Sequence, residues 1–497
     1  MRSNINIAAA SVTLAALVAV SGAVIGAGAA AAAPKAAATS SLAAFTLVAP
    51  TSQVPSGLLA RAVIAAGAGC PLLTGTYTPT QPSAPQEFAY QLRLREKPEL
   101  AGAAYAAIDV CELALPKNAL TAMIGKTSIP ANLPARIDEI ALLGDTGCRV
   151  TSWEVQDCAN TSNWPLARIS RNIAKSRPDV TIHLGDYFYR ETGCPQTQQD
   201  FCAASPPAPS NLPAPGNAYG WIADALIPMQ PLFDVAPMLL LRGNHESCTR
   251  GGIGFFLIFS PDLTTALQCA PTLVNGVVTV PTNDITPTWH TKWTVGATDA
   301  TAHTLDLEII DNAYGNDNVV DAFAATQRPS YVAAAKNVAK TKPDEAWLLT
   351  HRPIFGMVTT QFAGAGSVWS SADQTAASQG LLGNYNLLLA SHIHVAQVTT
   401  IPGQPSQLVI GIGGTYLDPV TGYPKPTYGP LSNPDGTALS PLAAPYPAPS
   451  SVWTDVRFGY VIATPKAGSS SWLFDQRDQR GQSFAKCDLV QRTMSCK

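Results

Sequence analysis

From residue 137 onward, short apolar runs each break into a loop rich in Gly, Asp, Asn or His: IALLGDTG, DVTIHLGDYFY, PMLLLRGNHE, LDLEIIDNAYGN, EAWLLTHRP, YNLLLASHIH and QLVIGIGGTY. Continuous apolar runs mark strands covered on both faces, and their polar ends gather at one edge of a sheet. Between the runs, NWPLARISRNIAKS and AFAATQRPSYVAAAKNVAKT read as helices, so the class is α/β. Residues 39–136 read differently. They are rich in Thr, Pro, Ala and Val, and EFAYQLRLR (Glu87 to Arg95) alternates apolar with polar side chains, which predicts strands of a small β-rich N-terminal domain. Residues 137–497 then form the second domain. Within it, the Pro-rich stretch 419–449 predicts a long surface loop, and VRFGYVIAT predicts a further strand.

The first 38 residues show one early charge, Arg2, then a weakly apolar run and AGAAAAAPKAAA, the pattern of a signal peptide cut between Ala27 and Ala38. The first cysteine, Cys70, excludes an N-terminal lipoprotein anchor, and no later segment is apolar and long enough to span a bilayer. A secreted or periplasmic location follows. The ten cysteines fall into neighbouring couples, Cys70/Cys111, Cys148/Cys158, Cys194/Cys202, Cys248/Cys269 and Cys487/Cys496, and are read as disulfides paired by proximity alone. Charged residues make up 13% and the net charge is -3, which gives no nucleic-acid or acidic-lipid signature.

Of seven histidines, four stand in the strand-end loops: His245, His351, His392 and His394. Asp145, Asp186 and Asn244 occupy the same kind of position. Oxygen donors beside imidazoles suit Zn, Mn or Fe better than Mg or Ca alone. His183, inside the apolar run VTIHL, reads as a core histidine, and His290 and His303 receive no role.

GDTG (Gly144 to Gly147), GDYFY (Gly185 to Tyr189), GNHE (Gly243 to Glu246), THRP around His351 and SHIH (Ser391 to His394) follow in order the motif series of calcineurin-like metallophosphoesterases, and the chain resembles the purple acid phosphatase branch of that superfamily. The resemblance implies two facing mixed β-sheets flanked by helices, and a centre of two metal ions. Many members have Asp-x-His in the first block. Here Asp145 is followed by Thr146 and Gly147, while Tyr189 supplies a phenol three residues after Asp186. A phenolate favours ferric iron, so the implied centre is Fe(III) with a divalent Fe, Zn or Mn. The ferric site would comprise Asp145, Asp186, Tyr189 and His394, and the divalent site Asp186, Asn244, His351 and His392, with Asp186 bridging. A metal-bound hydroxide would attack the phosphorus of a small phosphate monoester, and His245 would protonate the leaving alkoxide. Ser391 stands where the family usually has Gly, and a histidine usual after the THRP-type block is absent, a role Arg352 would partly serve by contacting the phosphate or leaving group. Glu246 would either hold His245 or solvate its loop. In DNAYGNDN, Asp311 and Asn312 read as a plain turn rather than as lining of the substrate pocket. A phosphodiesterase or nucleotidase with the same centre, or a silent module that keeps the metals, are the alternatives; an intact His245 speaks against the second.

Overall fold

The computed structural model describes residues 41–497 except 80–83, 100–101, 203–216, 264–267, 276, 280–284, 318–319, 357–370, 419–445, 447–448 and 467–470. The expected signal peptide and nearly all of the expected Pro-rich loop lie outside the described residues.

Two large mixed sheets face each other. In the first, Ile140–Leu143, Val180–His183 and Met238–Leu240 are parallel neighbours, continued on one side by Ala43–Val48 and on the other by the antiparallel strand Gly459–Pro465. In the second, His303–Ile309, Glu345–Leu349, Leu387–Ala390 and Ser406–Ile410 run parallel. The period of two decides what each face buries. Ile140, Leu142, Ile182 and Leu239 point inward against Leu305, Leu307, Trp347, Leu387 and Leu408 of the opposite sheet. Ala141, Leu143 and Leu240 point outward against the helices Leu166–Ser176 and Ile227–Phe233. Both faces are thus apolar, as the continuous runs require.

The helix Leu166–Ser176 buries Leu166, Ile169, Ser170 and Ile173, one stripe at helical spacing, and ends at Arg177 in the left-handed conformation. The helix Ala322–Thr341 starts at Asp321, whose carboxylate accepts the Phe323 N–H at 2.7 Å, and covers the outer face of the second sheet with Tyr331, Ala334 and Val338.

Residues 39–136 are rich in strands, but those strands do not stand apart. Leu47 pairs with Met238, so Ala43–Val48 and its antiparallel neighbours Leu58–Ala65 and Ile108–Ala114 extend the first sheet, while Leu72–Tyr77, Gln86–Gln91, Ala119–Ile124 and Thr127–Ile129 form a separate four-stranded sheet. Buried arginines reinforce the join. Arg61 donates to the Ile258 and Ser260 carbonyls at 2.9 and 2.7 Å, Arg95 to Phe256 at 2.9 Å, and both meet Glu112, which satisfies charges that burial would otherwise penalise. Residues 38–497 form one compact unit. All five expected cysteine couples are disulfides. Among the described residues no helix is long and apolar enough to cross a membrane.

Candidate metal centre

The C-terminal ends of the parallel strands of both sheets converge, and the loops they release carry every expected donor. Asp145 follows Ile140–Leu143, Asp186 and Tyr189 follow Val180–His183, Asn244 follows Met238–Leu240, His351 follows Glu345–Leu349, and His392 and His394 follow Leu387–Ala390. Turning sharply out of a strand strains the backbone: Asp145, Asp186 and His392 have φ of 55°, 62° and 73°, a region that side chains disfavour and functional loops retain. Gly243 is required by close approach, since a Cβ there would sit 2.1 Å from Asp186 Oδ1.

The donors form two sets joined by one carboxylate. The Tyr189 hydroxyl lies 2.8 Å from Asp145 Oδ1, 2.8 Å from Asp186 Oδ2 and 3.0 Å from His394 Nε2. On the other side of Asp186, Oδ1 lies 3.3 Å from His351 Nε2, and the Asn244 amide sits 2.9 Å from that nitrogen and 2.8 Å from His392 Nδ1. Ligand atoms of Asp186, His351 and His392 all fall within 4.8 Å of one another.

Two of the three imidazoles are held by a hydrogen bond through their other nitrogen. His351 Nδ1 donates to the Leu184 carbonyl at 2.8 Å, which leaves the Nε2 lone pair facing the cluster. His392 Nε2 lies 3.0 Å from Asp317, and His394 Nδ1 lies 3.8 Å from Asp418. Asn312 clamps the His351 loop, its Oδ1 accepting the N–H groups of His351 and Arg352 at 2.8 and 3.0 Å. Ser391 hydrogen-bonds Asp145, and Gly144 makes room for that hydroxyl, so the serine that replaces the usual glycine holds a donor in place.

The electrostatics follow from burial among opposite charges. Burial opposes ionisation of Asp186, but His351, His245 and His392 outweigh it and hold its pKa well below the usual carboxylate range. Burial likewise opposes charge on His351, yet Asp186 pushes it up to about 9. The Tyr189 phenol is driven well above its ordinary value by burial and by Asp145 and Asp186. His245 packs on the Tyr189 ring at 3.7 Å between centroids, with Nδ1 3.0 Å from Glu191. Burial lowers its pKa to about 3, against the pull of Asp186.

Other residues fall outside the centre. His183 is a buried core histidine with Nε2 2.9 Å from Thr146 Oγ1. His290 pairs with Asp306 and His303 with Glu345. Asp311 does more than shape a turn, since it pairs with Arg242 at 2.9 Å. Arg352 stands beside the centre, 2.5 Å from Asp317 and 3.1 Å from His392 Nε2. Glu246 touches neither His245 nor solvent: its carboxylate accepts the backbone N–H groups of Asp186, Tyr187, Phe188 and Gly243 at 2.8 to 3.0 Å and so fixes the turn that carries Asp186. Arg149, Glu191, Arg250, Asp317 and Asp418 surround the donors without belonging to any motif block.

A sequence profile described as calcineurin-like phosphoesterase matches residues 139–396, which contain all these donors. Among curated proteins none matches the chain. Among solved structures, PhoD is similar at 12% identity over 94% of this chain and 93% of that one, with a TM-score of 0.50. Purple acid phosphatase PPD1 from yellow lupin (Lupinus luteus) seeds is similar at 12% identity over 89% and 73%, with a TM-score of 0.49. At such identity PhoD attests the fold alone. The profile covers more than half of the chain, with the strand-end loops inside it, and the chain therefore belongs to the calcineurin-like phosphoesterase family.

Proposed function

We propose that the protein is an exported phosphatase that hydrolyses phosphate monoesters at a centre of two metal ions of the purple acid phosphatase type. The observation that carries this reading is the Asp186 carboxylate, whose two oxygens face two different donor sets. The set of Asp145, Tyr189 and His394 is rich in hard anionic oxygen and suits Fe(III). The set of Asn244, His351 and His392 is neutral and suits a divalent Fe, Zn or Mn. Buried carboxylates beside a buried phenol fit this use, because cations offset a concentration of negative charge that burial would otherwise penalise. When bound, such ions supply Lewis-acid stabilisation of a transferring phosphoryl group.

The chain's own part is to fix the donors, exclude water behind them and manage protons. In this reading His245 delivers the proton to the leaving alkoxide, and Asp186 and Glu191, at 4.0 and 3.0 Å, are the carboxylates that would keep that proton on the ring against its burial. Arg352, aligned by Asp317, flanks the side where the phosphate or leaving group would lie. Five disulfides support an oxidising compartment and hence export.

Metal analysis of purified protein alongside p-nitrophenyl phosphate and bis-p-nitrophenyl phosphate tests the proposal. Two bound metals and a preference for the monoester are expected. A preference for the diester would replace the reading with a phosphodiesterase, and metallated protein inert on both would leave a binding module.

A further inference from the structure

Arg149 stands four residues after Asp145 and is held from three sides. Cys148 beside it is bonded to Cys158, the Val150 N–H donates to the Tyr189 carbonyl at 3.0 Å, and the Arg149 N–H donates to Gln156 Oε1 at 3.1 Å. The disulfide thus closes a short loop with Arg149 at its root. The guanidinium carbon lies 5.2 Å from the centre of the Tyr189 ring, whose hydroxyl stands among Asp145, Asp186 and His394.

This cation is poorly matched. Its carboxylate partner, Glu154, is 3.5 Å away with a side chain 41% exposed, and its Nε is buried without a hydrogen-bond partner. The neighbouring arginines differ, since Arg250 is paired with Glu191 and Arg352 with Asp317. A buried donor with no acceptor is costly, and a guanidinium held this way is ready for an anion with two oxygens side by side. Arg149 is also close enough to oppose protonation of His245 and His394.

We infer that Arg149 grips a phosphoryl oxygen of the substrate and selects dianionic phosphate monoesters over monoanionic diesters. This rests on the phosphatase reading above and adds its source of selectivity. A monoester above its second pKa of about 6 carries nearly two charges on its terminal oxygens, and a diester carries one. The guanidinium therefore gains more from the monoester.

The test compares metal-loaded wild type with Arg149→Ala and Arg149→Lys. Affinity for inorganic phosphate is measured by calorimetry, and kcat/KM is measured on p-nitrophenyl phosphate and bis-p-nitrophenyl phosphate. Arg149→Ala is expected to keep both metals, to bind phosphate about ten- to hundredfold more weakly, and to lose more on the monoester than on the diester. Arg149→Lys recovers part of the loss, as a point charge without the planar fork. Unchanged phosphate affinity in Arg149→Ala, or no phosphate binding by wild type, overturns the grip. Equal losses on the two esters overturn the selectivity. If wild type hydrolyses neither ester while Arg149→Ala still weakens phosphate binding, the phosphatase reading falls, and with it the selectivity, but the anion site stands.

Discussion

Asp317 Oδ2 lies 3.0 Å from Nε2 of His392, whose Nδ1 faces the Asn244 amide at 2.8 Å, while Asp317 Oδ1 lies 2.5 Å from Arg352. One carboxylate thus orients an imidazole of the centre and a guanidinium beside it. Carboxylates placed this way fix the tautomer and strengthen the ligand, and their loss typically costs about 10- to 100-fold in metal affinity. Asp317→Ala is expected to weaken retention of one metal by that order in a chelator competition and, because it strips the buried Arg352 of its carboxylate, to lower the thermal stability of the apoprotein as well. Wild-type retention by the variant would mean that His392 needs no such support.

His245 is expected to separate binding from chemistry. It lies against the Tyr189 ring, 4.0 Å from Asp186 through Nε2. His245→Ala should keep both metals and lose on the order of 10² to 10⁴ in rate on alkyl phosphates, whose leaving groups need a proton. On p-nitrophenyl phosphate the loss should be much smaller. Equal losses on the two would assign His245 another task.

The strand-end donors were legible in sequence because parallel strands buried on both faces are continuous apolar runs, and their C-terminal loops carry the polar residues. Asp145, Asp186, Asn244 and the three histidines therefore announce their neighbourhood. Asp317 and Arg149 do not. Arg149 falls two residues beyond the first block, Asp317 lies in the DNAYGNDN loop that reads as a plain turn, and the contact from Asp317 to His392 spans 75 residues, a purely tertiary relation. The same gap separates the strand content of residues 39–136 from their place in the fold. Alternation identifies strands such as Gln86–Gln91, but nothing local states that Leu47 pairs with Met238. In sequence Glu246 suggests a partner for His245 or a solvated loop residue, whereas its carboxylate accepts four backbone N–H groups, which no residue pattern displays.

Away from the centre, Glu308 and His290 should make stability depend on pH. Burial, with Asp306 nearby, pushes Glu308 up to about 7 from an ordinary 4.5. The folded chain then keeps a proton that the unfolded chain releases between about 4.5 and 7, so stability falls as pH rises through that window. His290, raised by its hydrogen bond to Asp306, acts in the same direction: its contribution is complete below the unfolded value and lost as pH passes the folded one. Glu308→Gln, which can still accept from Asn337, is expected to flatten the decline between pH 4.5 and 7 in urea unfolding. A slope identical to wild type would mean that Glu308 is ionised throughout.

The sharpest prediction separates a ferric centre from a generic pair of divalent ions, and it turns on Tyr189. Its hydroxyl is buried 2.8 Å from each of two carboxylates, surroundings that drive the phenol well above its ordinary pKa. Only a cation of high charge offsets that bias and holds a phenolate there, and the first block, Asp145-Thr146-Gly147, offers no imidazole to substitute for it. Phenolate bound to Fe(III) gives a charge-transfer band in the visible, whereas Zn or Mn held by carboxylate and imidazole gives essentially none. A trivalent ion also lowers the pKa of bound water further than a divalent one, which moves the activity optimum to the acid side of neutral. Purified protein is therefore expected to be coloured and to contain iron. Tyr189→Phe should bleach it while circular dichroism stays that of the wild type. Fully metallated, active protein that is colourless and free of iron would leave Tyr189 a packing residue and remove the ferric assignment, while a phosphatase using two divalent ions would remain.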